Sequence, residues 1–127
     1  MIRPFCYNDT PSLHTMLSVE GIEDKEMTFI KESTWVYEDE GVVKGFYTYC
    51  IENYFPHLIH FCVDRKYRGG SIARALIKDF KKRMMLRGYL KAIIHAKTTE
   101  IERIVNRYLK TKPYTKKYGM NFFLMEV

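Results

Sequence analysis

The residues with the most chemical potential run from 63 to 77: Val63-Asp64-Arg65-Lys66-Tyr67-Arg68-Gly69-Gly70-Ser71-Ile72-Ala73-Arg74-Ala75-Leu76-Ile77. A β-forming run ends at Val63, a basic glycine-containing turn follows, and an amphipathic helix begins near Ile72. The first N–H groups of a helix lack intrahelical acceptors and sit at its positive end, so an anion placed there gains both hydrogen bonds and field. Gly69 and Gly70 allow a ligand to approach the backbone closely, while Arg65, Lys66 and Arg68 add positive charge. Such a turn is suited to holding a pyrophosphate on the amides of Arg68, Gly69, Gly70, Ser71, Ile72, Ala73 and Arg74.

The elements that must position this turn can be read on both sides of it. Ile2-Arg3-Pro4 reads as the end of a first strand, and Thr10-Pro11 as an N-cap followed by proline at the first helical position. That helix turns Leu13, Met16 and Leu17 inward, and residues 23–32 predict a second helix burying Met27 and Ile30. Trp35-Val36-Tyr37 and Val42-Val43-Lys44-Gly45-Phe46-Tyr47-Thr48-Tyr49 predict hairpin strands around Glu38-Asp39-Glu40-Gly41. Pro56 interrupts, and His57-Leu58-Ile59-His60-Phe61-Cys62-Val63 forms the strand that delivers the turn. The helix after the turn aligns Ile72, Ala73, Leu76, Ile77, Phe80 and Met84 on one face and stops at Gly88. Tyr89-Leu90-Lys91-Ala92-Ile93-Ile94-His95-Ala96 reads as a buried strand. Thr99 and Glu102 then match a capping box for a helix carrying Ile101, Ile104, Val105 and Tyr108, which Pro113 ends. Asn121-Phe122-Phe123-Leu124-Met125-Glu126-Val127 reads as a closing strand.

Composition narrows the field. With 127 residues, 46% hydrophobic and 15% aromatic, the chain suits a single domain over residues 1–127 with a packed core. A net charge of +6 points to a polyanionic partner, and charge alone does not separate a phosphorylated cofactor from nucleic acid. Cys6, Cys50 and Cys62 are odd in number and widely spaced, which indicates neither a disulfide framework nor a metal cluster. No apolar run reaches membrane-spanning length, so a cytoplasmic protein that does not engage a membrane is expected.

The turn also carries a resemblance. Val63, Arg68 and Ala73 match the acyl-CoA-binding pattern V-x-x-x-x-[R/Q]-x-x-G-x-[G/A] of the GNAT superfamily of N-acetyltransferases, while Ser71 stands where that family usually has glycine. Gly41-Val42-Val43-Lys44-Gly45-Phe46 is similar to the family's second hairpin strand, and Lys117-Tyr118-Gly119-Met120 to its K-x-G-F element. The resemblance implies a GNAT-like α/β (α+β) domain: a mixed, mostly antiparallel central sheet flanked by about four helices. It further implies acetyl-CoA as acyl donor and direct attack of an amine acceptor, a small molecule or a protein amine, on the thioester. A homodimer is left open.

Under the resemblance, backbone N–H groups of Phe61, Cys62 and Val63 are candidates for meeting the carbonyl oxygen. His57 corresponds to a glutamate base in some members and His60 lies further along the same strand. An imidazole titrating near pH ~6.5 could take the proton of the amine. Strand alternation puts the two histidines on opposite faces unless a bulge intervenes. Glu38, Asp39, Glu40 and Glu52 are alternative bases. For an acid on the departing thiolate, Tyr114 is nearest to the family's Y-x-K-x-G-F segment, Tyr108 is the runner-up, and Asn106 echoes an asparagine on the pantetheine arm. Two other readings stand beside this one: a GNAT-fold protein without catalysis, and a less favoured nucleic-acid surface. The second is built on Lys110, Lys112, Lys116 and Lys117 interleaved with Tyr108, Tyr114 and Tyr118.

Overall fold

Two tight turns set the register of the central strands. Glu40-Gly41 (φ 51° and 77°) and Asn53-Tyr54 (φ 51° and 69°) both adopt the left-handed backbone that two-residue hairpin loops favour. They fold β2 (Thr34–Asp39), β3 (Val42–Glu52) and β4 (Phe55–Val63) into an antiparallel meander. In this computed structural model, residues 1–22, 29–109, 113–117 and 120–127 are described, without the side chains of Leu109, Pro113, Tyr114 and Lys117. The remaining strands are β1 (Ile2–Pro4), β5 (Lys91–Ala96), β6 (Pro113–Lys117) and β7 (Met120–Glu126). Among the described residues the α-helices are α1 (Thr10–Val19), α2 (Ile72–Leu86) and α3 (Thr99–Ile104), the last running into a π-helical turn at Val105–Leu109. The sheet order is β1-β2-β3-β4-β5-β7-β6, with every neighbouring pair antiparallel except β4 and β5.

Both faces of this sheet are covered near the turn. The apolar stripe of α2 (Ile72, Leu76, Ile77, Phe80, Met84) packs with Ile101 and Val105 onto Tyr47, Leu58, Phe61, Val63, Ile94 and Phe123. On the opposite face Leu13, Met16 and Leu17 of α1 cover Val36, Phe46 and Cys62. β4 therefore alternates between two cores, which explains why its sequence reads as an almost unbroken apolar run. Among the described residues no helix is long and apolar enough to cross a membrane.

Gly45 on β3 lets α2 lie this close. A Cβ there would stand 3.0 Å from the Cys62 carbonyl oxygen, 3.2 Å from Leu76 Cδ1 and 3.3 Å from Ile72 Cγ2. Backbone and two locked side chains cannot all give way, so Gly45→Ala is expected to cost about 1–3 kcal/mol by overpacking. Urea denaturation of the variant measures this, and a midpoint equal to that of the parent chain would refute the tight packing. Ile72 is held by the same contacts, so its side chain is core and only its backbone faces the turn.

Several sequence expectations need correction. Thr10 is the first residue of α1 and Pro11 the second, with Asp9 at the cap position, because a short 3-10 turn over Tyr7–Asp9 leads directly into the helix. Of the expected helix over residues 23–32, positions 23–28 lie outside the described residues. Its described end is extended at Ile30 and forms only a 3-10 turn over Lys31–Ser33. Pro56 does not interrupt a strand but sits inside β4 opposite Ile51. Tyr89 and Leu90 precede β5 rather than belonging to it. Thr98, not Thr99, caps α3 by accepting from the Ile101 N–H (3.2 Å), and Glu102 instead accepts from the Asn121 side chain (2.8 Å). Pro113 opens β6, a strand the sequence reading omitted.

Candidate functional site

The turn inherits its geometry from β4. β5 pairs with β4 only at His57↔Ile93 and Leu58↔Ile94; no ladder joins residues 59–63 to β5 among the described residues. The two parallel strands thus diverge just where β4 heads for the turn, leaving an open backbone edge of roughly 13 Å over four residue steps. That opening leads into a cleft of about 230 Å³ lined by Val63, Tyr67, Arg68, Gly69, Gly70, Ala73, Glu100, Arg103, Ile104, Arg107 and Tyr108. A larger groove of about 750 Å³ lies between α1 and the β2–β3 hairpin, but of its carboxylates Asp9, Glu20 and Glu38 are already joined to Arg3, Arg65 or Arg68, and Asp64 accepts from the Lys66 N–H. The smaller cleft is the one that meets the helix-opening amides.

Those amides are available. Gly69 carries φ +86°, a conformation only glycine adopts without strain, and a Cβ there would meet nothing within 4 Å. Beyond it Ser71 occupies the N-cap of α2, exposed and making no capping hydrogen bond. The Ala75 N–H donates to the Ser71 carbonyl (2.9 Å), so the N–H groups of Ile72, Ala73 and Arg74 precede that bond at the helix mouth. The Ser71 hydroxyl is thus not consumed in the fold, and the exposed Arg74 adds charge beside it.

The other expected cations are committed elsewhere. Arg68 pairs with Glu20 and with Glu100, and its Nε donates to the Val63 carbonyl (3.0 Å). Arg65 also donates to Glu20 (3.0 Å). Burial alone would raise the Glu20 carboxyl, but hydrogen bonds from Arg65 and Arg68 outweigh it and hold that group below its usual range. Burial pushes the Glu100 carboxyl up, opposed in part by Arg68. Arg68 is therefore a bracket between α1, the end of β4 and α3 rather than a free positive charge.

At the apex of the divergence the structure gathers side chains from β4 and β5. A register shift makes Ile59 an extra residue of β4, since Thr48 lies opposite His60 and Tyr49 opposite Leu58. Leu58 and Phe61 consequently both join the α2-side core, and His57 and His60 share the opposite face instead of being split across the sheet. His57 Nδ1 lies 2.9 Å from His95 Nε2. His60 is 3% exposed, with Nδ1 3.4 Å from Lys97 Nζ. Burial first, then Lys97 and His95, depress His60 to about 3, so it stays neutral and is a poor proton acceptor. Burial, His57 and Lys97 likewise lower His95 to about 4. Neither His95 nor Lys97 was singled out from the sequence; the polar position in the alternation Ala92-Ile93-Ile94-His95-Ala96 was the available signal.

The profile of the Acetyltransferase (GNAT) family matches residues 6–110 of the sequence. The chain belongs to the GNAT acetyltransferase family. Solved structures with this GNAT fold include the PaiA N-acetyltransferase of Thermoplasma acidophilum, in complex with coenzyme A (TM-score 0.81, 13% identity, 100% of this chain and 98% of that one). Two more are an N-acetyltransferase of Staphylococcus aureus (0.71, 17%, 100% and 96%) and the ribosomal-protein-S18-alanine N-acetyltransferase of Escherichia coli (0.69, 12%, 100% and 92%). A comparison with curated protein sequences yields no match.

The remaining candidates of this GNAT domain fall at different distances from the cleft. The side chains of Phe61, Cys62 and Val63 are buried in the two cores, so only their backbone groups can face the open edge. Tyr108 lies in the π-helical turn, lines the cleft and packs partly against the core, with Arg107 5.4 Å from its ring centre. Tyr114 belongs to β6, at the register shift opposite Phe122 and Phe123, and its side chain lies outside the described set. Asn106 is exposed and does not line the cleft. Of the basic and aromatic cluster, Lys110, Lys112 and Tyr118, like Gly119 of the K-x-G-F-like element, lie outside the described residues. Lys116 is exposed on β6.

Proposed function

We propose that this GNAT domain is an N-acetyltransferase that moves the acetyl group of acetyl-CoA to a primary amine by direct attack on the thioester. The observation that carries this reading is the meeting of the α2 amides, the 230 Å³ cleft and the unpaired β4 edge, with a pair of imidazoles at the last β4–β5 pairs on the opposite face of the sheet. The amides of residues 69–74 bind the diphosphate, with the Ser71 hydroxyl as an added donor. Unpaired backbone N–H groups among Phe61, Cys62 and Val63 orient the acyl arm and meet the carbonyl oxygen as negative charge grows there. His57 takes the proton of the amine, and the Tyr108 phenol, in the cleft, supplies one to the departing thiolate.

Calorimetry with acetyl-CoA, run beside a thiol-release assay over a panel of primary amines, tests the proposal. The expected result is saturable binding and amine-dependent thiol release, with Tyr108→Phe lowering kcat about tenfold or more and changing acetyl-CoA affinity far less. Binding with no release for any amine would favour a GNAT-fold binding protein. Equal rates for Tyr108→Phe would move the acid role to Tyr114 or solvent.

A further inference from the structure

We infer that His95 is a positioning residue which sets the tautomer of His57, so that the two rings act as one proton-accepting unit toward the amine. This rests on the acetyl-transfer reading above and adds to it a residue and a direction of hydrogen bonding. The rings meet edge-on, with centres 5.1 Å apart and planes at 80°, and Nδ1 of His57 lies 2.9 Å from Nε2 of His95. His95 is itself fixed from the other side: it stacks on Phe122 of β7 at 4.3 Å and 20°. His57 sits in one of the last two β4–β5 pairs before the strands part, so the unit stands at the apex of the opening.

One nitrogen of the pair must donate and the other accept, and in the proposed unit His57 Nδ1 is the donor. Lys97, 3.4 Å from His60, and Glu52 at the end of β3 both act on His95 through their charge; Cys50, also on β3, stands opposite His57. Burial, the neighbouring His57 and the Lys97 charge keep the His95 ring neutral, so one of its nitrogens can accept, and in the proposed unit that acceptor is Nε2. The Nδ1–H of His57 then donates to it, which leaves His57 Nε2 with an unshared pair. The step balances as follows. An N–H bond of the ammonium acceptor breaks, the proton joins His57 Nε2, and the pair left on nitrogen forms the new C–N bond; as the C–S bond opens its electrons leave on sulfur, and the nitrogen gives a second proton to solvent to become the neutral amide. The imidazolium keeps its Nδ1–H on His95 and releases the other proton to solvent or to the thiolate.

Long-range nitrogen–proton NMR of the imidazoles in the full chain reads the tautomers without any substrate. The expected spectrum has His57 protonated at Nδ1 and His95 bare at Nε2, and His95→Ala releases His57 toward the Nε2–H form. In kinetics His95→Ala should lower kcat about 10- to 100-fold, part of the ~10²–10⁴-fold that positioned proton transfer supplies, with KM for acetyl-CoA unchanged and the acidic limb of the pH profile displaced. His95→Gln, whose carbonyl can accept the same bond, should recover part of the rate. A parent chain with His57 protonated at Nε2, or a His95→Ala variant with unaltered kcat and pH profile, overturns the role given to His95 while leaving acetyl transfer standing. Acetyl-CoA binding with no turnover by the parent chain on any amine overturns the proton-accepting unit and the parent reading together.

Discussion

Gly70→Asp is expected to weaken acetyl-CoA binding by about 30- to 150-fold, whereas Gly70→Asn weakens it only slightly. A Cβ at Gly70 has the Tyr67 carbonyl oxygen at 3.9 Å and nothing nearer, so a side chain fits there without disturbing the fold. Gly70 lines the cleft one residue before the Ser71 N-cap, so the new carboxylate stands close to the mouth of α2, where the proposed diphosphate lies. At about 5 Å and an effective dielectric near 20, one like-charge pair costs roughly 3 kcal/mol before screening, and about 2–3 kcal/mol covers the stated range. The asparagine has the same shape without the charge, so the difference between the two variants isolates electrostatics from crowding. Gly69 is a poorer probe, because its φ of +86° makes any side chain strained and mixes a folding defect into the result. Calorimetry with both variants decides the matter, with circular dichroism to confirm that each is folded. Equal affinities for Asp and Asn would remove the diphosphate from this turn.

How far the sequence foretold this site depends on the range over which each feature is determined. The turn over residues 63–77 and the α2 stripe were legible because they are local: a strand, a glycine at a left-handed position and a helical period follow one another along the chain. The shared face of His57 and His60 was not, since the extra residue at Ile59 appears only when β4 is paired with β3. An apolar run buried on both faces carries no alternation from which a bulge could be noticed. β6 was hidden for another reason. Proline at the first residue of an edge strand loses no ladder bond, yet in sequence it looks like the stop signal of the helix before it.

Arg68 illustrates the same limit and leads to the second large effect. As a residue of the turn it reads as a phosphate-facing cation, yet Glu20 lies 48 positions earlier in the chain and claims it jointly with Glu100. Arg68→Ala removes the group that joins both carboxylates to the Val63 carbonyl. Glu20 keeps Arg65, but Glu100 is left half-buried beside another carboxylate, and a loss of about 2–3 kcal/mol is expected. The sign of the pH dependence follows from Glu100. Burial already raises its carboxyl in the folded chain, and losing Arg68 raises it further, so the folded variant binds a proton that the unfolded chain gives up. Stability from a group raised in this way is present at low pH and disappears as pH climbs through its folded value. The gap between parent and variant should therefore narrow toward pH 5 and widen toward pH 8 in urea melts. Arg68→Lys should recover only part of the loss, because one ammonium cannot satisfy two carboxylates and a carbonyl with the geometry of a guanidinium. A gap that is constant or larger in acid would mean that Arg68 stabilises the turn through packing and that the Glu20–Arg68–Glu100 bridge contributes nothing.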